Sequence, residues 1–560
     1  MAYCTNAQPK PAVFGKSFGS GNRESNYAIA TGTDGYFYST GFYEGPSKFG
    51  TFTLTGKGIY YAKHNPQGNI LWVKTITSNC PSWYSSPRAI FLDEAKNIYI
   101  SGLLDCPKLK FSNTDSLVRK RPGDIFISKF DSNGVVKWYR QISKPNGKYF
   151  PGNAFADNNG DIIVSDMFSQ KLWIEDGLNP PIDSLSTTGL PSFFWVKYNS
   201  EGAYLGSNQI DGKGTNFEMN DVSYDTSGSL FIAGEFRDTL RIGGDTLVSK
   251  GLGDAFFGSL NLSGNGEVNW LKSIGHIKED AANGITHDIF GNVYVTGRYL
   301  NQLPVGDTIL QGYILDNNFF LAKFKAQDGQ YLWAKKSENI YGGQGPGNDM
   351  VGRALVTDSS GSIYVAGYMG TAGYFDRYYG QAWVSGDMFL VKYDSSGKVK
   401  WLRMGHSSDG VHVRDIKIVD QNKVVVGGDF TESVMLDNLI EGVSLTEANS
   451  GNYKGDAFVA AWPSDDFNGT LYKANAGYSF SDPEVWYPRI VPGPQDTVIF
   501  YRWSHDIPAG NHLNYRKVIV SPGAGINIKP NASLKVKTLI NKGEVKVNGV
   551  LNVEEENDDE

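Results

Sequence analysis

Six residues separated by roughly one repeat unit or more carry the chemistry this sequence offers: Tyr27, Arg88, Asn220, Asn283, Arg353 and Arg414. Each stands just before the predicted first strand of a recurring unit. If the units close into a ring, these residues meet at the mouth of an axial channel. Guanidinium, amide and phenol groups donate hydrogen bonds there, while carboxylates for acid and base work are few. Such a ring suits an anionic or hydroxyl-rich ligand better than it suits cleavage. A second set is aromatic. Trp83 and Tyr84, Tyr149 and Phe150, Phe217 and Tyr341 fall in predicted long connections, which strand parity gathers on one face. Rings on a rigid scaffold are what sugars and partner proteins stack on, although any single one of them is more simply expected to pin its own loop.

No catalytic constellation is legible. There is no Gly-x-Ser-x-Gly elbow, no His-Glu-x-x-His and no Cys-x-x-Cys. His406 and His412 share one predicted loop and are expected to be an incidental pair rather than metal ligands. The many Asp-x-x-Gly segments lack the dense alternating carboxylates of calcium loops. Asp157-Asn158-Asn159-Gly160-Asp161 comes nearest and still reads as a turn. We therefore expect no catalytic residue, no metal and no cofactor. Asp238-Thr239-Leu240 and Asp307-Thr308-Ile309 read as hairpin turns.

The elements that must position the ring come from a repeat. A short strand ending in glycine recurs at Phe37–Gly41, Ile98–Gly102, Leu230–Gly234, Val293–Gly297 and Ile363–Gly367. Degraded copies end at Asp166 and Gly428. The spacing of these anchors, roughly 60 to 70 residues, marks a repeat architecture. Within a unit, four runs of β-branched and aromatic residues alternate with Asp/Ser/Gly turns. Four antiparallel strands per unit of this size describe a propeller blade. Third strands such as Asp254-Ala255-Phe256 lead to a fourth-strand tryptophan: Trp72, Trp138, Trp270, Trp333 and Trp401. These are expected to pack between blades. The third unit departs, with Tyr204 near the matching place.

The seventh unit stops after Asp456–Ala461 without a fourth strand. Residues 13 to 19, Val-Phe-Gly-Lys-Ser-Phe-Gly, resemble the fourth-strand phrase Trp270–Gly275 and precede unit one. We expect them to supply the missing strand and close an all-β, seven-bladed propeller over 13–462, leaving no radial edge.

The motifs resemble those of the SBBP-type β-propeller repeat, a bacterial family common in secreted and surface proteins, especially of the Bacteroidota. Gly291-Asn292-Val293-Tyr294-Val295-Thr296-Gly297 and Gly253-Asp254-Ala255-Phe256 match its strand and its Gly-x-x-Asp-Ala-Phe phrase. The resemblance runs over about residues 13 to 462. It implies the propeller fold and an extracytoplasmic setting, and it transfers no catalytic residue.

After Trp462 the composition shifts. Residues 463–490 read as a linker. Short alternating strands over 491–553 suggest a small solenoid-like or sandwich β-domain, looking loosely like the opening of a parallel β-helix, and 554–560 is an acidic tail. Residues 1–12 read either as the remnant of a secretory signal, with Thr5 and Ala7 before a cleavage point, or as an ordinary polar N-terminus. In the first case Cys4 is removed, and Cys80 with Cys106 is expected to form a disulfide in an oxidising compartment. The net charge of −7 offers nucleic acid no basic patch, and no 18-residue apolar run spans a membrane. The expectation is a secreted or cell-surface, non-enzymatic binding or adhesion protein whose partner is a glycan or another surface or secreted protein. Alternatives are a polysaccharide-acting enzyme with its site at the channel mouth, or a structural, tail-fibre-like module.

Overall fold

The computed structural model describes residues 13–464 apart from 20–21, 33, 79, 81–84, 146–152, 176–179, 189–190, 214–216, 263–265, 340–348, 371–372, 377, 381–386, 408, 421, 437–442 and 447–454. Beyond them it describes 471–474, 486–487, 497–500, 504–520, 525–541 and 543–557.

Blade four shows how the sequence folds. Its strands Phe217–Tyr224, Ser229–Phe236, Asp254–Asn261 and Glu267–Ile274 pair antiparallel in chain order, from the axis outward. The turn between the first two is built by Asp225, whose carboxylate accepts the N–H groups of Ser227 and Ser229, both at 2.9 Å. Gly228 completes it in the left-handed region at φ +92°. Ser229–Phe236 is buried almost throughout, because its two faces meet the blades on either side. That is why the second strand of each unit reads as a nearly continuous apolar run rather than an alternation.

The terminal glycine of that run has a steric cause. Each described first strand of blades one, two, four, five, six and seven carries a β-bulge, as between Met219 and Asp221 or between Ala282 and Gly284. The bulge drives a backbone carbonyl toward the second strand. A Cβ on Gly297 would lie 1.9 Å from the carbonyl oxygen of Ala281, and one on Gly234 1.9 Å from that of Glu218.

Seven such blades form the ring. In the seventh, Phe14–Phe18 pairs antiparallel with Asp456–Pro463, Phe14 opposite Ala461 and Phe18 opposite Ala457. The N-terminal strand thus completes the last blade, and Phe14 and Phe18 are buried. The tryptophans pack between blades. Trp138 Nε1 donates to the Ser200 carbonyl at 3.0 Å and Trp270 Nε1 to that of Ala326 at 2.8 Å, each reaching the three-to-four turn of the following blade. Blade three has its tryptophan on the third strand: Trp195 lies against Gly266 of blade four.

The connections between second and third strands differ from the long open loops expected of them. They form hairpins that lap back toward the preceding blade. Lys108–Lys110 and Ser116–Val118 of blade two pair onto Ile70–Ser78 of blade one. Lys171–Glu175 and Asp183–Ser186 of blade three pair onto Val136–Ser143 of blade two. Ser433–Leu436 and Val443–Thr446 of blade seven pair onto Val399–Ser407 of blade six. Buried Leu109, Leu172, Leu240, Leu303 and Val434 anchor these hairpins. Their apolar alternation favours adding strands to a neighbour's outer edge over standing free as loops.

The C-terminal part is a parallel solenoid. Thr497–Phe500, His512–Val520, Ser533–Asn541 and Val550–Asn557 stack in parallel in one sheet. Ser504–Ile507, Gly525–Ile528 and Glu544–Val547 stack in a second. Buried Val518, Ile526, Leu534 and Val536 fill the space between. The segment read as linker contributes strands of its own: Leu471–Ala474 lies parallel to Thr497–Phe500 and pairs with Trp486–Tyr487.

Candidate functional site

The first strands of all seven blades surround an axial cavity of about 590 Å³. Tyr27, Arg88, Asn220, Asn283, Arg353 and Arg414 all line it. They do not precede their strands. Each occupies the bulge inside one, the residue skipped between paired neighbours. The extra residue of a bulge is released from the ladder and re-aimed, here toward the axis. In blade three the corresponding position, 152, lies outside the described residues.

Part of the ring holds blades together. Asn220 Nδ2 donates to the Ala282 carbonyl at 2.9 Å, and Asn283 Nδ2 to that of Gly352 at 2.9 Å, each crossing to the next blade. Arg88 reaches further, from blade two past blade three, to donate to the Asn220 carbonyl at 2.7 Å. Arg414 lies over the Tyr27 ring, 5.2 Å from its centroid, and bonds Asp429 at 2.9 Å. Burial opposes the charge on Asp429, but donors from His412, Arg414 and Ser25 outweigh it and hold the carboxyl below its ordinary value.

Three further charges line the cavity: Asp221, Asp415 and Lys417. The sequence reading missed them. Asp221 accepts the Ile285 N–H at 2.9 Å, and Asp415 accepts the Ile29 N–H at 2.8 Å, the latter across the seam between the last and first blades. Lys417 bonds Asp415 at 2.9 Å. Burial pushes the Asp221 carboxyl up to about 6, against the pull of Arg88 and Lys417. The available signal was Asn220-Asp221 and Arg414-Asp415, an acid directly after the ring residue in two units.

Arg353 stands apart. Enclosure by the cavity walls lowers its pKa, Tyr368 opposes this, and the cations Arg414, Arg88 and Arg298 add smaller lowering effects. Among the described residues it has no carboxylate partner. Its side chain is exposed within the cavity.

The aromatic set fares differently. Trp83, Tyr84, Tyr149, Phe150 and Tyr341 lie outside the described residues. Phe217 is a correction. It is 4% exposed and meets Phe256 edge to face at 6.3 Å, so it belongs to the blade core. It opens a strand whose apolar positions face inward, which composition alone did not reveal. Cys80 and Cys106 are bonded, with Cα atoms 5.9 Å apart. They join the crossing into blade two to the connection after its second strand. Ser85 Oγ accepts the Cys106 N–H at 2.9 Å. His406 and His412 serve separate carboxylates, Asp387 at 2.9 Å and Asp429 at 3.0 Å. Asp157 and Asp161 are both engaged by Lys197, at 2.7 and 2.9 Å. Asp238 and Asp307 stand at hairpin ends and turns, with Asp238 at φ +59°.

A ring of bladed sheets closed by the N-terminal strand around a polar axis defines a β-propeller repeat protein. Residues 275–298 match the family model of the SBBP β-propeller repeat. The chain is 22% identical over 466 residues to an uncharacterized WD repeat-containing protein of Acanthamoeba polyphaga mimivirus. The match covers 69% of this chain and 32% of that protein, so the chain spans about a third of the length of the curated relative. Among solved structures it is similar to BamB from Moraxella catarrhalis, at 11% identity and a TM-score of 0.33, covering 81% of this chain and 99% of that one. It is similar also to the polysaccharide lyase Uly1, at 11% identity and a TM-score of 0.38, covering 78% and 90%. No helix in the described residues is long and apolar enough to cross a membrane.

Proposed function

We propose that this chain is a secreted or cell-surface recognition protein, non-enzymatic, that uses the propeller as a rigid platform and binds a glycan or a partner protein at the channel mouth. The observation carrying this reading is the bulge ring. Its residues, from six different blades, are aimed at one cavity by one repeated backbone device. Preorganised donors on strands lose little order on binding. The Cys80–Cys106 bond supports the extracytoplasmic setting, since such bonds persist in oxidising compartments. A glycan array and a surface-protein panel probed with the full chain test it. Specific capture that weakens on changing Arg353 or Arg414 is expected. Absence of any capture by the folded chain overturns it.

A second reading, a polysaccharide-acting enzyme, is favoured by one observation. Glu218 sits directly opposite Glu235 in the paired strands of blade four. Burial first, and then the charge of Glu235, raise the Glu218 carboxyl, as a general acid requires. Turnover of an acidic polysaccharide that Glu218→Gln abolishes would replace the first reading with this one.

A further inference from the structure

We propose that the axial cavity holds an oxyanion, the carboxylate or sulfate of an acidic sugar, with the Arg353 guanidinium as its principal ligand. The inference rests on the reading of the channel as the recognition site and names the chemistry it recognises.

Three observations carry it. First, Arg353 has no carboxylate partner among the described residues, and its side chain is exposed to the cavity. A guanidinium that faces a cavity without a protein carboxylate keeps its parallel donors available to an anion that enters. Second, the other lining cations are already occupied in ways that leave Arg353 as the available fork. Arg414 is committed to Asp429, Lys417 to Asp415, and Arg88 donates to the Asn220 carbonyl. Third, the guanidinium projects from a bulge into a cavity of about 590 Å³, open to water and large enough for one sugar unit. A planar guanidinium with parallel donors matches a carboxylate or sulfate in two-point contact.

A structural arginine would behave otherwise. If Arg353 tied the blades together, its removal would lower stability. If it awaits an anion, removal relieves repulsion, and the ligand-free Arg353→Gln protein melts at the same temperature as the unchanged chain or higher.

The test is calorimetric titration of the full chain, in low-salt buffer at pH 7, with sodium glucuronate, sodium sulfate and glucose. Melting temperatures are read in parallel. Glucuronate or sulfate is expected to bind and raise the melting temperature, and glucose is not. The two anions tell a carboxylate site from a sulfate site. Arg353→Gln is expected to weaken the anion tenfold or more without loss of stability. Arg353→Lys is expected to bind with intermediate affinity, since it keeps the charge and loses the fork. A Lys137→Gln variant, at an exposed position on the outermost strand of blade two, is expected to bind as the unchanged chain does. The proposal is overturned if neither anion binds at millimolar concentration, if glucose binds equally well, or if Arg353→Gln binds the anion undiminished. Array capture of neutral glycans with no anion effect would remove this inference and leave the recognition reading intact. Arg353-dependent anion binding with a silent array would do the reverse.

Discussion

Asp166 stands where the other second strands end in glycine, and its carboxylate is met there by the ammonium of Lys144. Both side chains are almost fully buried, at 2% and 1% exposure. Lys144 follows the fourth strand of blade two, so the pair ties that blade to the inner part of blade three. Its ammonium also donates to the Met167 carbonyl at 2.9 Å. Burial raises the Asp166 carboxyl more than Lys144 and Arg88 lower it.

Breaking this pair from one side leaves a buried charge. Asp166→Gly or Lys144→Met alone is expected to cost about 3–5 kcal/mol. The double change Lys144→Met with Asp166→Gly restores the anchor of the other blades and is expected to recover most of the loss. Chemical denaturation of the three variants measures this as a double-mutant cycle, and additive losses would show that the two residues act separately.

His64 is expected to make the propeller less stable in acid. Its ring stacks on Phe37 at 4.5 Å, bonds Ser39 Oγ at 2.8 Å and faces the Gly68 carbonyl at 3.2 Å. Burial lowers its pKa to about 4 from the ordinary 6.5. The unfolded chain therefore takes up a proton on His64 before the folded one does. The loss is absent above pH 6.5, grows as pH falls toward 4, and reaches about 3 kcal/mol at most. Melting temperatures of the unchanged chain and His64→Gln across pH 7 to 4 should converge as pH falls. Parallel curves would mean that another group controls the acid limb.

The N-terminal strand should be indispensable to the ring. Removing residues 1–20 exposes the edge of Asp456–Pro463 and takes away the buried rings of Phe14 and Phe18. A lower melting temperature and concentration-dependent self-association are expected, because an open edge invites pairing with another chain. Phe18→Ala alone should cost about 3–5 kcal/mol. Light scattering together with thermal melts checks both, and an unchanged melt after truncation would disprove closure by this strand.

The Cys80–Cys106 bond closes a segment with a sequence separation of 26. On a chain-entropy estimate, its loss costs about 3.5 kcal/mol. The double change to serine should lower the melting temperature by an amount that reducing agent reproduces in the unchanged chain. A serine variant as stable as the reduced and oxidised forms alike would show that the crossing is held by other contacts, such as those of Ser85.

The repeat was legible because its causes are local. Asp225 with Gly228 makes its turn from within five residues, and Ile232 or Val295 declares a buried strand by its own side chain. The missing fourth strand of the last unit could be matched to residues 13–19 for the same reason. The six ring residues were found by their phase in the repeat. The device that aims them was not, because a bulge is a property of two strands in register, and Asn220 is skipped only in relation to the second strand. The backward-lapping hairpins, the burial of Phe217 and the acids Asp221 and Asp415 share that character. Each depends on a neighbouring strand or blade that the linear sequence places many residues away. Sequence thus determined the blades, their number and their closure. Only the tertiary structure decided which cations remain without a carboxylate at the axis, because pairing across the ring is settled by distance in space.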